Sequence, residues 1–527
     1  MGQAAATIVL DGASEKEGNG MKHWRVVCLA VIGGLVAAAC GNGASTSGGP
    51  LPHGNVLYYA APGEPDSLDP GAGISGFDGY YLTAIFDTLV HTNPKTLKTE
   101  PGLATSWTWS ADHMSLRLNL RHGATFQDGS PVDAAAVKAS LDHYRAAGFW
   151  SDLSPVSGET VVDASTVDVN LKSQYSPLPD ILAGRAGMLV SPAALQKYGK
   201  DFGKHPVGAG QYSFQAWTPG AEVDVSKFSG YWDKAAPPRF KGVAFKVFAD
   251  PIAMMNAVQS GQVDLAAITN ATASNIQVLK KSSRVNTDVT DVNGVAVITT
   301  NNRQAPFNNV LVRQAVNMSI DRQALSDAVN GKGVGKGPAC QYEAPDYWTY
   351  SKDLKCWKYD PAQAKQLLAQ AGYPNGVTVS ICNYATDTTA VQIEKQTMAR
   401  AGITLQISQQ PVNACVASLR SGNIPMVQIG WIGNASAYYT FQTMFGANAT
   451  GGFGPYQNVD GLLSKVSSVY TQQEQKPYFD QLNKTLHDQA PSVPLYYLIR
   501  VVSYSKRLHG FSTDPSAANR IEQAYFQ

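Results

Sequence analysis

The stretch Asn301–Leu325, NNRQAPFNNVLVRQAVNMSIDRQAL, decides the fold more than any other part of this 527-residue chain. It predicts a strand end, a turn at Pro306 and two helices. Asn309 is a suitable N-cap for the first helix, Asp321 can cap the second, and Gly331 ends the second. Four residues recur at helical spacing on one face of the first helix: Val312, Ala315, Val316 and Ser319. Periodicity alone indicates an amphipathic helix pair and nothing more.

The order of residue types in this stretch is more specific than its periodicity. Pro-Phe, an Asn-rich turn, Val-Arg-Gln-Ala and Ile-Asp-Arg follow one another. This order resembles the signature of the extracellular solute-binding proteins of peptide-type ABC transporters, family 5, which include oligopeptide, dipeptide and nickel binders. The resemblance implies an α/β fold of the periplasmic-binding-protein type. We therefore expect two lobes with a hinge, and the three-domain, mixed-sheet architecture of peptide binders.

About eight blocks between residues 55 and 527 resemble the family in the same order. Among them are residues 65–70, 101–107, 116–131, 206–212 and 360–373. Gln211 departs from the Pro that the family usually has at that position. So many ordered blocks are far more specific than any single motif.

The residues themselves predict most of the secondary structure. We expect a first strand from Val56, a helix over 80–89, a helix over 134–144 capped by Asp133, and a β-hairpin over 161–171. A strand, a helix and a second strand between residues 377 and 408 form a βαβ unit, which favours a partly parallel sheet.

The resemblance also predicts domain boundaries. The main domain of lobe I comprises residues 55–90, 205–300 and 495–527, and its small domain comprises residues 91–204. Residues 301–494 form lobe II.

The N-terminus predicts export. Residues 1–20 are polar and unlike a targeting segment, so we expect an upstream extension, with Met21 as the biological start. Residues 21–39 combine a basic start with an apolar run that is too short for a membrane span, which needs about 20 apolar residues. This pattern is typical of a secretory signal peptide.

Small residues directly before Cys40 resemble a lipoprotein box, in which Cys40 becomes the lipidated first residue of the mature chain. Residues 40–54 then act as anchor and flexible tether. The family pattern has Leu where this chain has Ala37, and a plain signal peptide with a chance Cys is the alternative. We expect anchoring to the outer face of the cytoplasmic membrane, with membrane contact through the lipid only.

Four cysteines remain in the body of the exported chain, and an even number outside the cell indicates disulfides. Three connectivities are possible. We favour Cys340–Cys356 and Cys382–Cys415, because each closes a local segment within one predicted domain. Metal binding is disfavoured, because the chain has no Cys-x-x-Cys spacing.

Composition excludes several functions. The formal net charge is +1, charged residues make up 15 %, and there is no basic block of the kind that nucleic-acid binding needs. The chain has no Gly-x-Ser-x-Gly elbow and no His-Glu-x-x-His helix. The nine His residues lack metal-ligand spacing. We therefore expect no enzyme activity, no cofactor and no metal.

Ligand sites favour domain interfaces with aromatic walls. Residues 428–439 are the richest candidate stretch, followed by residues 382–387 and the loop after the first strand. The six candidate ligand-binding residues are Trp431, Asn434, Tyr384, Asn383, Tyr438 and Phe77.

Two charged groups of the family are missing from these stretches. The resemblance places Asn434 where peptide binders carry an Asp for the ligand's α-ammonium, and residues 382–387 lack the Arg that dipeptide binders use for the carboxylate. An ammonium buried without an anionic partner loses several kcal/mol. We therefore expect a longer peptide held by its backbone, a blocked or cyclic peptide, or a neutral solute.

The resemblance implies capture of an extracellular peptide or peptide-like solute and its delivery to an ABC permease, whose ATPase subunits use ATP. We expect a monomer. The alternative is a lipoprotein sensor or accessory factor that binds another protein on the same fold.

Overall fold

The computed structural model describes residues 53–527 except 74–76, 94–95, 149–150, 270, 385–387, 433–435, 448–455, 457 and 514–518. Residues 50–527 form one compact unit. The predicted extension, signal peptide and Cys40 lie outside the described residues. Within the described part, every helix is too short or too polar to cross a membrane.

The described chain contains both strands and helices. The strands are β1 (Val56–Ala61), β2 (Val90–Thr92), β3 (Thr99–Pro101), β4 (Ala104–Trp109), β5 (Ser115–Leu120), β6 (Val156–Asp163), β7 (Thr166–Leu171), β8 (Tyr212–Thr218), β9 (Glu222–Lys227), β10 (Gly242–Val247), β11 (Leu265–Ile268), β12 (Val285–Thr300), β13 (Val377–Asn383), β14 (Ile403–Gln409), β15 (Met426–Ile432), β16 (Ser492–Ser505), β17 (Leu508–His509), β18 (Ser512–Thr513), β19 (Asn519–Arg520) and β20 (Tyr525–Phe526). The α-helices are α1 (Gly79–Ile85), α2 (Ala134–Ala147), α3 (Leu178–Leu182), α4 (Pro192–Tyr198), α5 (Pro251–Ser260), α6 (Ala273–Lys280), α7 (Val310–Met318), α8 (Arg322–Val329), α9 (Pro361–Gln370), α10 (Thr389–Arg400), α11 (Val412–Ser421), α12 (Ala437–Phe445), α13 (Val459–Ser467) and α14 (Gln472–Gln489).

A ten-stranded mixed sheet runs through the whole compact unit, in the order β14-β13-β15-β12-β16-β11-β1-β10-β9-β8. Its two central strands, β12 and β16, are antiparallel and much longer than the others. The second half of β16 lies beside β11, and the second half of β12 lies beside β15. The two long strands therefore join the two predicted lobes, and a register shift between Asp291 and Val295 marks the middle of β12.

Strand direction brings two groups of strand ends toward the same place. Strands β1, β10 and β11 are mutually parallel, and so are β13, β14 and β15. The two groups run in opposite directions, because β15 is antiparallel to β12 while β11 is antiparallel to β16. At the two inner edges, Ile268 ends β11 opposite Val501, and Ile432 ends β15 opposite Gly294. Both groups thus direct their carboxyl ends toward the middle of the long strands.

The helix pair predicted from residues 301–325 is confirmed. The side chain of Asn309 accepts a hydrogen bond from the backbone of Leu311 at the start of α7, and that of Asp321 accepts from Ala324 at the start of α8. The predicted inner face of α7 is fully buried.

Two arginines of residues 301–325 hold the start of β16 in place. Arg313 donates from Nε and Nη2 to the carbonyl oxygen of Gln489, and Arg322 donates from Nε to that of Pro494. The two acceptor residues, Gln489 and Pro494, lie just before and just after the start of β16. The arginines of the Val-Arg-Gln-Ala and Ile-Asp-Arg motifs therefore fix the point where the chain crosses back from lobe II.

The helix predicted over 80–89 is wrong in its length, because α1 ends at Ile85. Phe86 is already extended, with φ −112° and ψ 146°. The carbonyl oxygen of Ile85 accepts from Gln127 Nε2 at 2.7 Å and from the backbone of Gly210 at 2.9 Å. These long-range partners replace the helical hydrogen bonds that periodicity assumes.

A separate four-stranded sheet, in the order β4-β5-β7-β6, forms within the predicted small domain. Leu116, Leu118 and Leu120 alternate toward its core, and β6 and β7 form the predicted hairpin. Gln127 also donates to the carbonyl oxygen of Tyr212, which ties this domain to the main domain of lobe I.

Two disulfides lie within the predicted lobe II. Cys340 is bonded to Cys356, with Cα atoms 4.9 Å apart, and Cys382 to Cys415, with Cα atoms 5.5 Å apart. These are the pairs that the sequence analysis favours.

Candidate ligand-binding cleft

Three of the predicted site residues lie at the carboxyl end of a strand or in the connection that follows it. Trp431 is the penultimate residue of β15, Asn383 ends β13, and Phe77 lies in the connection that follows β1. Ligands of open α/β sheets bind at the carboxyl ends of strands. We refer to this region as the cleft.

Trp431 lies opposite Val295 of β12, beside the register shift of the long strands. Its indole is half-buried, and its Nε1 has no hydrogen-bond partner among the described residues. A buried indole N–H usually finds a partner. Trp431 thus combines apolar area with one unused donor.

Tyr384 and Asn383 lie at the end of β13, the strand beside β15. Burial raises the pKa of Tyr384, and a hydrogen bond with the backbone of Gly430 opposes this rise. Tyr384 therefore reaches the residue that directly precedes Trp431. Asn383 is buried and donates from Nδ2 to Gln409 Oε1 at 2.9 Å, within its own lobe.

The other three candidates are Phe77, Tyr438 and Asn434. Phe77 is on the lobe I side, where a Cβ at Gly63 would come within 2.4 Å of its ring. The ring of Tyr438, in the first turn of α12, lies 5.5 Å from that of Tyr175 in an edge-on contact. Asn434 lies outside the described residues. The structure thus brings Tyr384 to the residue before Trp431, and places Asn383 against Gln409 and Tyr438 against Tyr175.

A polar cluster joins the small domain to the first turn of α12, and sequence reasoning missed it. We call it the inter-lobe cluster; its members are Tyr144, Asp152, Tyr175, Arg185, Tyr438 and Tyr439. Tyr144 donates from its hydroxyl to Asp152 Oδ2 at 3.0 Å, and Tyr175 donates to the Asp152 carbonyl oxygen at 3.0 Å. Asp152 and Arg185 act electrostatically on Tyr439.

The two acids near this cluster are protonated more easily than usual. Burial raises the pKa of Asp152 to about 6, although its hydrogen bond from Tyr144 and the charge of Arg185 oppose the rise. Burial also raises the pKa of Asp78, which forms an ion pair with Arg185 at 3.1 Å. Arg185 additionally donates to the carbonyl oxygen of Gly73 at 2.6 Å.

A further cation lies on the long strands. Arg500 of β16 is opposite Thr290 of β12, is half-buried, and donates from Nη2 to the Tyr80 hydroxyl at 3.1 Å. Tyr80 is in the first turn of α1, the helix that follows the connection after β1. This contact places the positive charge of Arg500 next to the register shift in the middle of β12.

The two lobes also touch directly. The backbone N–H of Ser176, in the small domain, donates to the Ser467 carbonyl oxygen at 2.8 Å, and Gln475 Nε2 donates to the Ser176 hydroxyl at 3.2 Å. The ring of Tyr470 lies 5.1 Å from that of Trp109. The predicted small domain and the predicted lobe II are therefore in contact in this structure.

No local motif could have revealed these inter-lobe residues, because their partners are far away in sequence.

Among the described residues, no three or more His, Cys, Asp and Glu side chains are grouped so that they could hold a metal ion.

Comparison with known proteins gives one family. The model of "Bacterial extracellular solute-binding proteins, family 5 Middle" matches residues 98–453. The glutathione-binding protein GsiB of Escherichia coli O1:K1 / APEC is 29% identical over 456 residues, which cover 82% of this chain and 87% of that protein.

Solved structures share the fold. The periplasmic binding protein DppA of Helicobacter pylori, solved with the peptide STSA, superposes with a TM-score of 0.81 at 23% identity, over 89% of this chain and 98% of that one. The binding protein AgaA of A. tumefaciens R10, solved with agropinic acid, gives a TM-score of 0.79 at 26% identity, over 90% and 99%. These ligands differ in chemistry while the fold is the same.

Proposed function

Because this chain belongs to the bacterial extracellular solute-binding proteins of family 5, we propose that it captures a peptide or peptide-like solute and delivers it to an ABC importer. Its fold is α/β, of the periplasmic-binding-protein type, with two lobes, a hinge and the mixed sheet of the peptide binders. Relatives named for peptide and glutathione binding support this ligand class.

One observation carries the proposal. Two groups of parallel strands direct their carboxyl ends at each other, and β12 and β16 join them. A ligand between these ends contacts both lobes only in the closed form, so binding shifts the population toward closure. The permease then recognises the closed surface.

The finer features of the proposal concern residues outside the described part and partners of the chain. We propose that Cys40 carries the lipid anchor on the outer face of the cytoplasmic membrane, and that the protein is a monomer. It hydrolyses nothing itself, and the ATPase subunits of the transporter use ATP.

Asn434 and residues 382–387 bear on how the charged ends of the ligand are held. Asn434 replaces an acidic residue of the peptide binders, and residues 382–387 contain no Arg. We therefore propose that the ligand is not held by a free α-ammonium and a free α-carboxylate at these two loops. If free di- and tripeptides bind with sub-micromolar affinity and blocking their ends causes no loss, the protein holds the ligand by groups other than its charged ends. If binding requires both free ends, this proposal about the ligand ends is contradicted.

Uptake and co-purified ligand test the proposal together. Native mass spectrometry of the full chain from its host identifies what the cleft carries, and uptake of that compound is measured in a deletion strain. We expect a peptide-like ligand, and uptake restored by the wild-type gene. Unchanged uptake together with an envelope or signalling defect favours the sensor or accessory role.

A further inference from the structure

Lobe I carries a concentration of positive charge where α5 and α6 end. Residues 251–263 and 271–287, which contain these two helices, include three cations and no Asp or Glu. The cations are Lys280, Lys281 and Arg284, and all three are exposed. The whole chain has a formal net charge of only +1, so this excess of one sign is local. A partner that is attracted to this surface is therefore anionic.

Two of these cations border an open depression of about 450 Å³. Its walls include Gln259 and Ser260 at the end of α5, and Lys281 and Arg284 after α6. In the part of the chain that the structure describes, neither Lys281 nor Arg284 forms an ion pair with a carboxylate. Both side chains can therefore interact with an anion from outside the protein.

Lys506 adds a fourth cation from a distant part of the chain. Ser505 of β16 is paired with Val285 of β12, so Lys506 and Arg284 lie directly beyond this last pair of the two long strands. Lys506 is also exposed. We call these four cations the basic face; its members are Lys280, Lys281, Arg284 and Lys506.

The carboxylates of the adjacent chain form no ion pair with the basic face among the described residues. Asp264 follows α5 but is buried, and its Oδ2 accepts from the backbone of Tyr58 at 3.0 Å. Asp288 is exposed and accepts from the Tyr504 hydroxyl at 3.1 Å. Along an extended chain Asp288 is about 13 Å from Arg284, which exceeds the Debye length of about 8 Å at physiological salt. The basic face therefore keeps most of its charge.

The described part of the chain begins next to the same surface. His53 Nε2 lies 3.3 Å from the carbonyl oxygen of Gly261, the residue after Ser260, and the His53 ring stacks on Tyr58 with ring centroids 3.7 Å apart. Between Cys40 and His53 the chain spans at most about 45 Å, at about 3.5 Å per residue. A lipid on Cys40 would therefore keep the basic face within reach of the membrane.

Resting on the lipid anchor of the proposed function, we propose that the basic face binds anionic phospholipids of the membrane that holds the anchor. Lys and Arg side chains close to an anionic lipid surface are attracted to it, and the attraction falls off within a Debye length. The chain after Cys40 limits the distance from the bilayer, and the charge selects the surface of lobe I that contacts it. Membrane contact then involves a protein surface in addition to the lipid.

Lysine labelling on vesicles tests this contact. The exported protein is purified from its host and added to vesicles of phosphatidylcholine, to vesicles with about one third phosphatidylglycerol, and to native membranes of the host. Flotation measures binding, and mass spectrometry measures the acetylation rate of each lysine. We expect the lysines of the basic face to react about threefold or more slowly on anionic than on neutral vesicles, and this difference to disappear at about 0.5 M salt. Lys365 of α9, which is exposed, should react equally on both.

The matching variant combines Lys281→Glu with Arg284→Glu. We expect the two remaining lysines of the basic face to lose their protection on anionic vesicles. The control combines Lys365→Glu with Lys395→Glu, which makes the same change of charge at exposed positions of lobe II and should keep the protection. The comparison of vesicle types within wild type tests the inference even if the first variant folds poorly.

The outcomes separate the basic face from the anchor on which it rests. Flotation on both vesicle types without slower labelling on the anionic ones, or protection that persists in the variant, overturns the basic face and leaves the anchor intact. Slower labelling on native membranes but not on phosphatidylglycerol assigns the face to a membrane protein and overturns the lipid contact. Flotation on anionic vesicles alone supports the basic face and contradicts the anchor, and flotation on neither contradicts both.

Discussion

The guanidinium of Arg322 in α8 donates from Nε to the carbonyl oxygen of Pro494, 2.6 Å away, where β16 begins. Its other nitrogens donate to the backbone and side-chain oxygens of Asn317 at 2.7 and 2.8 Å. Burial lowers the pKa of Arg322 to about 10. Arg322 has no carboxylate partner within the part of the chain that the structure describes, so three amide and carbonyl oxygens satisfy this buried cation, and one of them belongs to the strand that links the lobes.

Arg322→Lys should destabilise the protein, because an ammonium cannot reach three oxygens in the planar arrangement of a guanidinium. We expect a loss of about 2 to 4 kcal/mol in the free energy of unfolding. Urea denaturation followed by circular dichroism measures it. Arg284→Lys, at an exposed position, should change little, and equal stability of both variants would contradict the role of Arg322.

Trp431→Phe should weaken ligand binding, since it removes both apolar area and the unpartnered Nε1 donor. We expect affinity for the co-purified ligand to fall by roughly tenfold or more, as for aromatic anchors in other binding sites. Ligand-induced change in tryptophan fluorescence should also decrease. Trp357→Phe is the control, because that indole stacks on His487, 4.6 Å between ring centroids. Unchanged affinity in the Trp431 variant would show that this residue is only core.

Ser176→Ala should favour the open form. The variant loses the hydrogen bond from Gln475 and the donation to the Val466 carbonyl oxygen, both of which link the predicted small domain to lobe II. At about 0.5 to 1.5 kcal/mol per hydrogen bond, the two lost bonds amount to about 1 to 3 kcal/mol, so we expect ligand affinity to fall by about fivefold to about 150-fold without a change in ligand contacts.

Calorimetry gives the affinity, and small-angle scattering of the ligand-free protein should give a larger radius for Ser176→Ala. Ser229→Ala, at an exposed serine of lobe I, should behave as wild type. If affinity and radius are both unchanged, the contact at Ser176 does not stabilise closure.

Glu394 should make stability fall as pH rises. It is fully buried in α10, neither carboxylate oxygen has a hydrogen-bond partner among the described residues, and burial raises its pKa from 4.5 to about 8. Below pH 4.5 the acid is protonated in both folded and unfolded chains. Between pH 4.5 and 8 only the unfolded chain releases the proton, so stability is lost over this interval.

At 1.36 kcal/mol for each pKa unit, the difference between 4.5 and about 8 amounts to about 5 kcal/mol. Glu394→Gln removes this contribution. Unfolding free energies of both proteins at pH 5 to 8.5 should therefore diverge, with wild type falling more steeply. Parallel curves would mean that Glu394 titrates near its ordinary value.

Local patterns predicted many of the elements correctly. The caps Asn309, Asp321 and Asp133 each accept the expected backbone hydrogen bond, because capping depends on residues within one turn. The βαβ unit from β13 to β14 is parallel as predicted. Where the end of an element depends on distant partners, as for the carbonyl oxygen of Ile85, periodicity predicted the wrong length.

The sequence by itself determined the family, the parallel βαβ unit between residues 377 and 408, and the absence of an acid at Asn434 and of an Arg in residues 382–387. Only the tertiary structure brought the members of the inter-lobe cluster together. Asp152, Arg185 and Tyr439 lie far apart in the chain, and each belongs to an unremarkable local segment. Their burial and electrostatic coupling depend on the folded structure, because a side chain is desolvated by all the elements packed around it rather than by its neighbours in sequence.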